Sequence, residues 1–329
     1  MRIFVTGASG FVGGHVVEGL EADHEVLAMA RSDRSQAAVE AFGARAVRCN
    51  LGTIEASHLQ GVDAVIHCAA RVEDYGPREA FWEANVEGTQ RMLDASRTAG
   101  VRRFVHIGTE AAVFDGHDLV DIDERHPYPR RHRFLYSETK AEAERRVLAA
   151  SDQTMTALSL RPRLIWGPRD NSVLPALVDT IERGAFAWID GGRPRTSTVH
   201  VANLVHALEL ALTRGRGGEA YFVTDGEDST YREFLGRLVA TTGARVPERS
   251  VPGALLRPVA WLVERSWGLL RPSARPPLSR FAVAMMSSTV TIDISKAREE
   301  LGYAPVIGVD EGLRQLADAR AEPGSPPRK

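Results

Sequence analysis

Cysteine is scarce in this chain: Cys49 and Cys68 are the only two among 329 residues. Each stands in an apolar stretch away from any Cys/His cluster, so there is no material for a disulfide framework and no metal site is expected. Two buried thiols in a reducing compartment are the expectation. An excess of charge is lacking too. Lys and Arg number 41 against 43 Asp and Glu, a formal net charge of −2, so no global field recruits nucleic acid, and no nucleic-acid partner is expected. The opening residues Met1-Arg2-Ile3-Phe4-Val5-Thr6-Gly7 run straight into a strand and a turn without the apolar segment of a signal peptide, and a cytoplasmic location is expected. No apolar run reads as a membrane span. The richest, 251–270, contains Pro258 and carries Arg257, Glu264 and Arg265.

What the chain does have is 43% apolar residues over a length that supports one large domain with a smaller lobe. Short apolar runs at Ile3-Phe4-Val5, Glu25 to Ala30, Ala44 to Val47, Ala64 to His67, Phe104 to Ile107 and Leu158 to Leu160 alternate with helical patterns. That alternation is the mark of a parallel sheet wound with helices on both faces. After Arg161-Pro162 it breaks, and helices are expected around 172–184, 201–213 and 230–241, the last opened by a capping box from Thr230 to Glu233.

A strand ending at Thr6, then Gly7-Ala8-Ser9-Gly10-Phe11-Val12-Gly13 and a helix, brings free backbone N–H groups and a positive helix end to one place. Gly7 suits a tight turn, Gly10 a close approach to pyrophosphate, and Gly13 a helix lying against the sheet. The architecture expected is therefore α/β. A doubly wound parallel sheet of the Rossmann type covers 1–170 and 194–225, and a smaller, mostly helical C-terminal substrate lobe covers 171–193 and 226–318. Residues 319–329, with Pro-Gly-Ser-Pro-Pro among them, read as a disordered tail. The end of the second strand selects the nucleotide: an acid there holds a ribose hydroxyl, a base accommodates a 2′-phosphate. Here it is Arg31, with Arg34 near, so NADP(H) is favoured over NAD(H). Asn50-Leu51, after the third strand, are placed to meet adenine.

Tyr136-Ser137-Glu138-Thr139-Lys140 opens a helix in which Tyr136 and Lys140, four apart, share a face. A neighbouring ammonium stabilises a phenolate and draws its pKa down toward the working range. Thr109, just beyond the strand at Phe104 to Ile107, offers a hydroxyl that can polarise a substrate oxygen. Its neighbour Glu110 is read either as a second polar group facing substrate or as a structural acid.

With these residues in view the chain resembles the extended short-chain dehydrogenases/reductases, and among them the 3β-hydroxysteroid dehydrogenase-like branch. The resemblance runs over Thr6 to Gly13, His67-Cys68-Ala69-Ala70, Asn85-Val86-Glu87-Gly88-Thr89, the Tyr136/Lys140 pair, Leu160-Arg161-Pro162, Trp166-Gly167-Pro168-Arg169-Asp170, Val199 to Leu204 and Ser295 to Tyr303. It implies that Tyr136 is the acid/base, Lys140 its partner and a ribose ligand, and Thr109 the third catalytic member. Ser9, Phe11, Val12, Ala69 and Ala70 would then line the dinucleotide, and Pro162 and Leu164 would lie beside its nicotinamide. Three positions depart from the family pattern: Gly108 stands where a second serine is common, Glu110 follows the hydroxyl, and Cys49-Asn50-Leu51 replaces Gly-Asp-Leu. The resemblance also implies a homodimer through the helix that bears Glu142, Glu144, Arg145 and Arg146.

Substrate choice falls to the second lobe. Phe186, Trp188, Trp261, Leu262, Trp267, Leu269 and Leu270 offer apolar surface, whereas beyond Arg193 and Arg195 little resembles a diphosphate clamp. A small hydrophobic hydroxy or keto substrate, steroid-like or long-chain acyl, is expected, with Glu110, Trp188 and Arg195 as candidate contacts. The segment 251–270 reads as a helical lid or as a peripheral contact with a membrane. Two alternatives stand beside this reading: a nucleotide-sugar epimerase or dehydratase with tightly held NAD, and a non-catalytic NADP(H)-sensing regulator.

Overall fold

The computed structural model describes residues 1–270 and 276–321. Its main sheet is built from β1 (Arg2–Thr6), β2 (Glu25–Ala30), β3 (Arg45–Arg48), β4 (Ala64–His67) and β5 (Arg103–Ile107). β6 (Leu119–Ile122) leaves that sheet, β7 (Thr156–Pro162) returns to it, and Ala220–Val223 completes it. The seven strands lie in the order Ala220–Val223, β7, β5, β4, β1, β2, β3. All of them are parallel. The winding reverses between β1 and β4, which opens a crevice at their carboxyl ends.

Helices α1 (Phe11–Leu20), α2 (Asp33–Ala41), α3 (Arg78–Phe81), α4 (Gly88–Thr98) and α5 (Leu135–Ala149) flank this sheet. On one face Val16, Val17 and Leu20 of α1 pack with Ile3, Val5 and with Leu204 and Leu208 of the helix Val201–Ala211. On the other, Met92, Leu93 and Val147 pack with Phe4, Val65 and Phe104. Strands covered on both faces are apolar throughout rather than alternating, which is why these runs are visible in the sequence. The seventh strand, Ala220–Val223, lies beyond the regular alternation that breaks after Pro162 and was not read.

A second sheet joins Asp228–Thr230, Arg195–Ser197, Val290–Ile292 and β6. It crosses the lobe division expected from the sequence, because β6 and Arg195–Ser197 leave the large sheet to pair in parallel with the late strand Val290–Ile292. The Asp225 carboxylate ties the halves together. It accepts from Trp166 Nε1 at 2.9 Å, the Thr198 hydroxyl at 2.7 Å, the His200 N–H at 2.6 Å and Asn203 Nδ2 at 2.7 Å.

The expected tail begins late. The helix Val309–Ala321 continues through 319–321, and residues 322–329 lie outside the described residues. The helix Gly253–Leu270 is continuous despite Pro258 within it. Among the described residues no helix is long and apolar enough to cross a membrane.

Candidate active site

The glycine turn is built as its spacing requires. Gly7 adopts φ +68, a left-handed conformation, and a Cβ there would meet the Ala69 nitrogen at 2.9 Å. A Cβ at position 13 would come within 2.3 Å of the Gly7 carbonyl oxygen. The constraint on Gly13 is thus the turn itself and not the sheet. Gly10 is the N-cap of α1 without a side-chain cap. Its N–H goes to the Gly7 carbonyl at 3.0 Å, and the first helical bond runs from the Gly14 N–H to the Gly10 carbonyl at 2.9 Å. The N–H groups of Phe11, Val12 and Gly13 precede that bond, so they form a donor set at the positive end of α1, and Ser9 is exposed beside them. A dinucleotide pyrophosphate fits this cradle, whose close backbone approach any Cβ would close.

Neighbouring elements frame the crevice. The Thr6 hydroxyl accepts from the Ala69 N–H at 3.0 Å and pairs with His67 Nδ1 at 2.8 Å, while His67 Nε2 meets the Thr89 hydroxyl at 3.0 Å. This fixes Ala69 and Ala70 at the end of β4. Arg31, just beyond β2, and Arg34, in the first turn of α2, are exposed. Asn50 is spent on its own turn: its Oδ1 accepts the Gly52 N–H at 2.7 Å, and its N–H goes to Thr53 at 3.1 Å. Leu51 packs against the core beside Met92 and Leu93. Pro162 ends β7, buried, and Leu164 beyond it holds φ +41. A branched side chain seldom adopts that conformation, and such strain gathers where a backbone must be aimed.

Thr109, Tyr136 and Lys140 converge. Thr109 caps the short turn of helix Glu110–Val113, its hydroxyl accepting the Ala111 N–H at 3.2 Å. The Tyr136 phenol lies close by, where the Thr109 hydroxyl draws its pKa down. Rings roof the phenol: Phe281 stands edge-on to Tyr136 at 5.6 Å between centroids and to Phe134 at 5.3 Å, and Phe134 stacks on Phe114 at 5.9 Å. Lys140 Nζ donates to the Ile107 carbonyl at 2.7 Å and lies 3.3 Å from His106 Nε2. Burial draws this ammonium down to about 8, against the favourable charge of Glu144.

The lowering expected for Tyr136 is not found. Burial first, and then the charge of Glu110, push the phenol above its ordinary value, and only Thr109 opposes them. Lys140, with two of its three donors on Ile107 and His106, contributes nothing to this shift.

Glu110 is 4% exposed, as the structural one of its two readings requires. Its Oε1 takes Arg163 Nη1 at 2.6 Å and its Oε2 takes the Thr109 hydroxyl at 2.8 Å, so its partners are side chains. Trp188, 2% exposed, stacks edge-on against Phe186 inside the small lobe's core, which removes it from the candidate substrate wall. Arg195 is exposed, 3.9 Å from Asp228.

The sequence reading missed a second buried pair. Glu144, 0% exposed, accepts Arg161 Nε at 3.0 Å and Nη2 at 2.7 Å, the Tyr128 hydroxyl at 2.6 Å and the Ser159 hydroxyl at 2.7 Å. It lies four residues beyond Lys140, as Lys140 lies four beyond Tyr136, and that spacing was the available signal. It also accounts for Gly108. A Cβ there would stand 2.6 Å from Ser159 Oγ and 2.7 Å from Glu144 Oε2, so the second serine of the family pattern has no room. Glu144 therefore faces inward and is not part of the outer surface of α5.

Known proteins carry the same plan. The family model of the NAD dependent epimerase/dehydratase family matches residues 3–224. A 4-hydroxy-2-methyl-3-oxo-4-farnesyl-3,4-dihydroquinoline-1-oxide ketoreductase of Stigmatella aurantiaca is 41% identical over 97% of this chain and 96% of its own. A 3-beta-hydroxysteroid dehydrogenase of Mycolicibacterium neoaurum is 32% identical over 95% of this chain and 90% of its own. Among solved structures, MoeE5 in complex with UDP-glucuronic acid and NAD superposes with a TM-score of 0.73 at 25% identity, over 98% of this chain and 100% of that one. The chain belongs to the NAD dependent epimerase/dehydratase family, in the 3β-hydroxysteroid dehydrogenase-like branch of the extended short-chain dehydrogenases/reductases.

Proposed function

We infer that this protein is an NADP(H)-preferring oxidoreductase that interconverts a hydrophobic ketone and its alcohol, steroid-like or long-chain acyl. The observation that carries the reading is the Tyr136 phenol, influenced by Thr109, four residues before Lys140 on α5 and faced edge-on by Phe281. The rings of Phe281, Phe134 and Phe114 give the acid an apolar wall, which suits an apolar carbonyl compound. The names of the Stigmatella and Mycolicibacterium relatives agree with such substrates.

Gly7, Ser9, Gly10, Phe11, Val12 and Gly13 would hold the pyrophosphate, Ala69 and Ala70 the adjoining backbone, Lys140 the nicotinamide ribose, and Pro162 and Leu164 the nicotinamide face. Bound there, the dinucleotide supplies or takes the hydride. Tyr136 delivers the proton to the substrate oxygen in reduction and removes it in oxidation, while Thr109 holds the phenol in line. The aromatic roof excludes water from that transfer. Arg31, exposed just beyond β2, and Arg34, exposed in the first turn of α2, would meet a 2′-phosphate.

Two assays test the reading. Cofactor consumption against a panel of steroid, acyl and sugar-nucleotide ketones should show turnover on the first two with net oxidation of NADPH. Turnover of sugar nucleotides alone, with no net redox change, overturns it. Arg31→Ala should lower the NADPH-over-NADH preference in kcat/KM roughly tenfold, the low end for a charge-assisted contact at an exposed site. An unchanged ratio removes Arg31 from nucleotide choice.

The helix Gly253–Leu270 extends the reading to a membrane surface. Leu255, Val259, Trp261 and Leu262 stand 63%, 46%, 45% and 59% exposed, with Arg257 and Arg265 exposed among them. Its single acid, Glu264, is half-buried and accepts the Arg280 N–H. An apolar stripe with a basic border fits an anionic lipid surface, where an apolar substrate partitions. The protein should float with anionic vesicles, Leu262→Glu should abolish flotation, and absence of flotation in the unaltered protein ends this part of the proposal.

A further inference from the structure

We propose that His106 is a positioning residue that aims Lys140 at the bound dinucleotide; this rests on Lys140 being the ribose ligand. Lys140 is 3% exposed, and its ammonium carries three donors and no acceptor. One donor goes to the Ile107 carbonyl at 2.7 Å, and His106 Nε2 stands 3.3 Å from Nζ. A group that can only donate meets a ring nitrogen at its lone pair, so the His106 proton sits on Nδ1. Both acceptors belong to β5, and two neighbouring residues of one strand thus pin Nζ in place. The third donor remains for the ribose.

A histidine is out of keeping with its surroundings here. β5 is covered on both faces, and Phe104, Val105 and Ile107 beside it are apolar, as such a strand favours. His106, 1% exposed, brings a ring whose Nδ1 has no partner among the described residues. A buried N–H without an acceptor is a cost that Leu or Val would avoid, and the contact of Nε2 with Lys140 offsets it. His67 keeps the ring in place, stacked on it at 5.5 Å between centroids and inclined by 30°. His67 Nδ1 pairs at 2.8 Å with Thr6, the last residue before the glycine turn, and Nε2 at 3.0 Å with Thr89 in α4. The lysine and the glycine turn, which would meet the nicotinamide ribose and the pyrophosphate, are thus keyed to one pair of stacked rings.

The titratable groups around Nζ come from three elements. β5 supplies His106, which burial first, and then the charges of Lys140 and His67, hold neutral. On β4, burial and then Lys140 draw His67 down to about 3, and Cys68 just beyond stays a thiol because burial pushes it up to about 12. α5 supplies Tyr136, whose burial opposes the phenolate, and Glu144, an anion shared with Arg161. Lys140 itself, lowered to about 8 by burial against the pull of Glu144 and Cys68, is charged at neutral pH. The bond therefore runs from ammonium to neutral imidazole, and an acceptor on the ammonium favours its charged form.

Fluorescence titration with NADPH is the test. His106→Leu keeps most of the bulk and removes the acceptor, and the dissociation constant should rise about tenfold or more, the size of a hydrogen bond to a charged group. His106→Gln sets an amide oxygen near the place of Nε2, and affinity should return toward that of the unaltered protein. Unaltered protein should lose affinity as pH rises through about 8, where Lys140 gives up its proton. In His106→Leu that loss should begin at lower pH, because the ammonium has lost an acceptor, and in His106→Gln it should not move. Two equally weakened variants with undisplaced pH profiles, as a ring that only fills space would give, overturn the proposal, and so does a His106→Leu of normal affinity. Should His106→Leu fail to fold, nitrogen NMR of the histidine rings in the unaltered protein decides. The His106 signal, assigned by its absence in His106→Gln, should be that of a neutral ring protonated on Nδ1, and protonation on Nε2 overturns the proposal. If Lys140→Met binds NADPH normally, the assignment of the ribose ligand has failed instead; if Lys140→Met is weakened and His106→Leu is not, the failure belongs to His106 alone.

Discussion

Tyr136→Phe should lower turnover about 10²- to 10⁴-fold, the usual worth of a positioned general acid, while dinucleotide affinity stays near that of the unaltered protein. The substitution deletes one hydroxyl and keeps the ring that packs edge-on against Phe281 at 5.6 Å. It touches neither the glycine turn nor Lys140, whose donors go to Ile107 and His106. Its effect should therefore fall on kcat and not on the fluorescence titration of NADPH. Full activity in this variant would rule out Tyr136 as the proton donor, whatever the cofactor affinity.

The largest effect on stability should come from Glu144→Gln. The carboxylate carries four hydrogen bonds with no exposure, and Arg161 opposite it is buried as well. Removing one member of a buried pair strands the other charge, a loss of about 3–5 kcal/mol. Urea unfolding should show it as a lower midpoint with an unchanged slope. The pH dependence has a definite sign. Burial raises the Glu144 carboxyl, but Arg161, Tyr128 and Ser159 together hold it below its ordinary value. Its contribution is thus complete above the unfolded value of about 4.3 and is lost as pH falls through the depressed folded value. Unaltered protein should lose stability in that acid window, and Glu144→Gln should lose less. Equal midpoints for the two proteins at neutral pH would show that the pair contributes nothing.

Much of the fold was legible because the strands of the large sheet are covered on both faces and so spell continuous apolar runs; β2 and β4 begin and end where the composition changes. The glycine turn was legible because a Cβ at Gly7 or Gly13 would strike backbone, which leaves sequence no choice. Charged residues hid the rest. Glu144, Arg161 and Arg163 read as surface in a sequence, since isolated charges are almost never buried; only their pairing across separate elements makes burial tolerable. Trp188 and Trp261 could not be told apart either, one in the core and one in solvent, because aromatic residues serve both places. The small sheet was invisible because its strands are short and its partners are remote in sequence.

That remoteness bears on how the protein is made. Val290 pairs in parallel with both Leu119 and Thr196, and Ile292 pairs with Ile122. On the ribosome, β6 and Arg195–Ser197 emerge long before the strand that lies between them. A nascent or truncated chain ending short of that strand presents two open edges, the surfaces on which strands of other chains add. The strand Val290–Ile292 is the closing piece of the sheet, and the small lobe stays adhesive until that strand has been made.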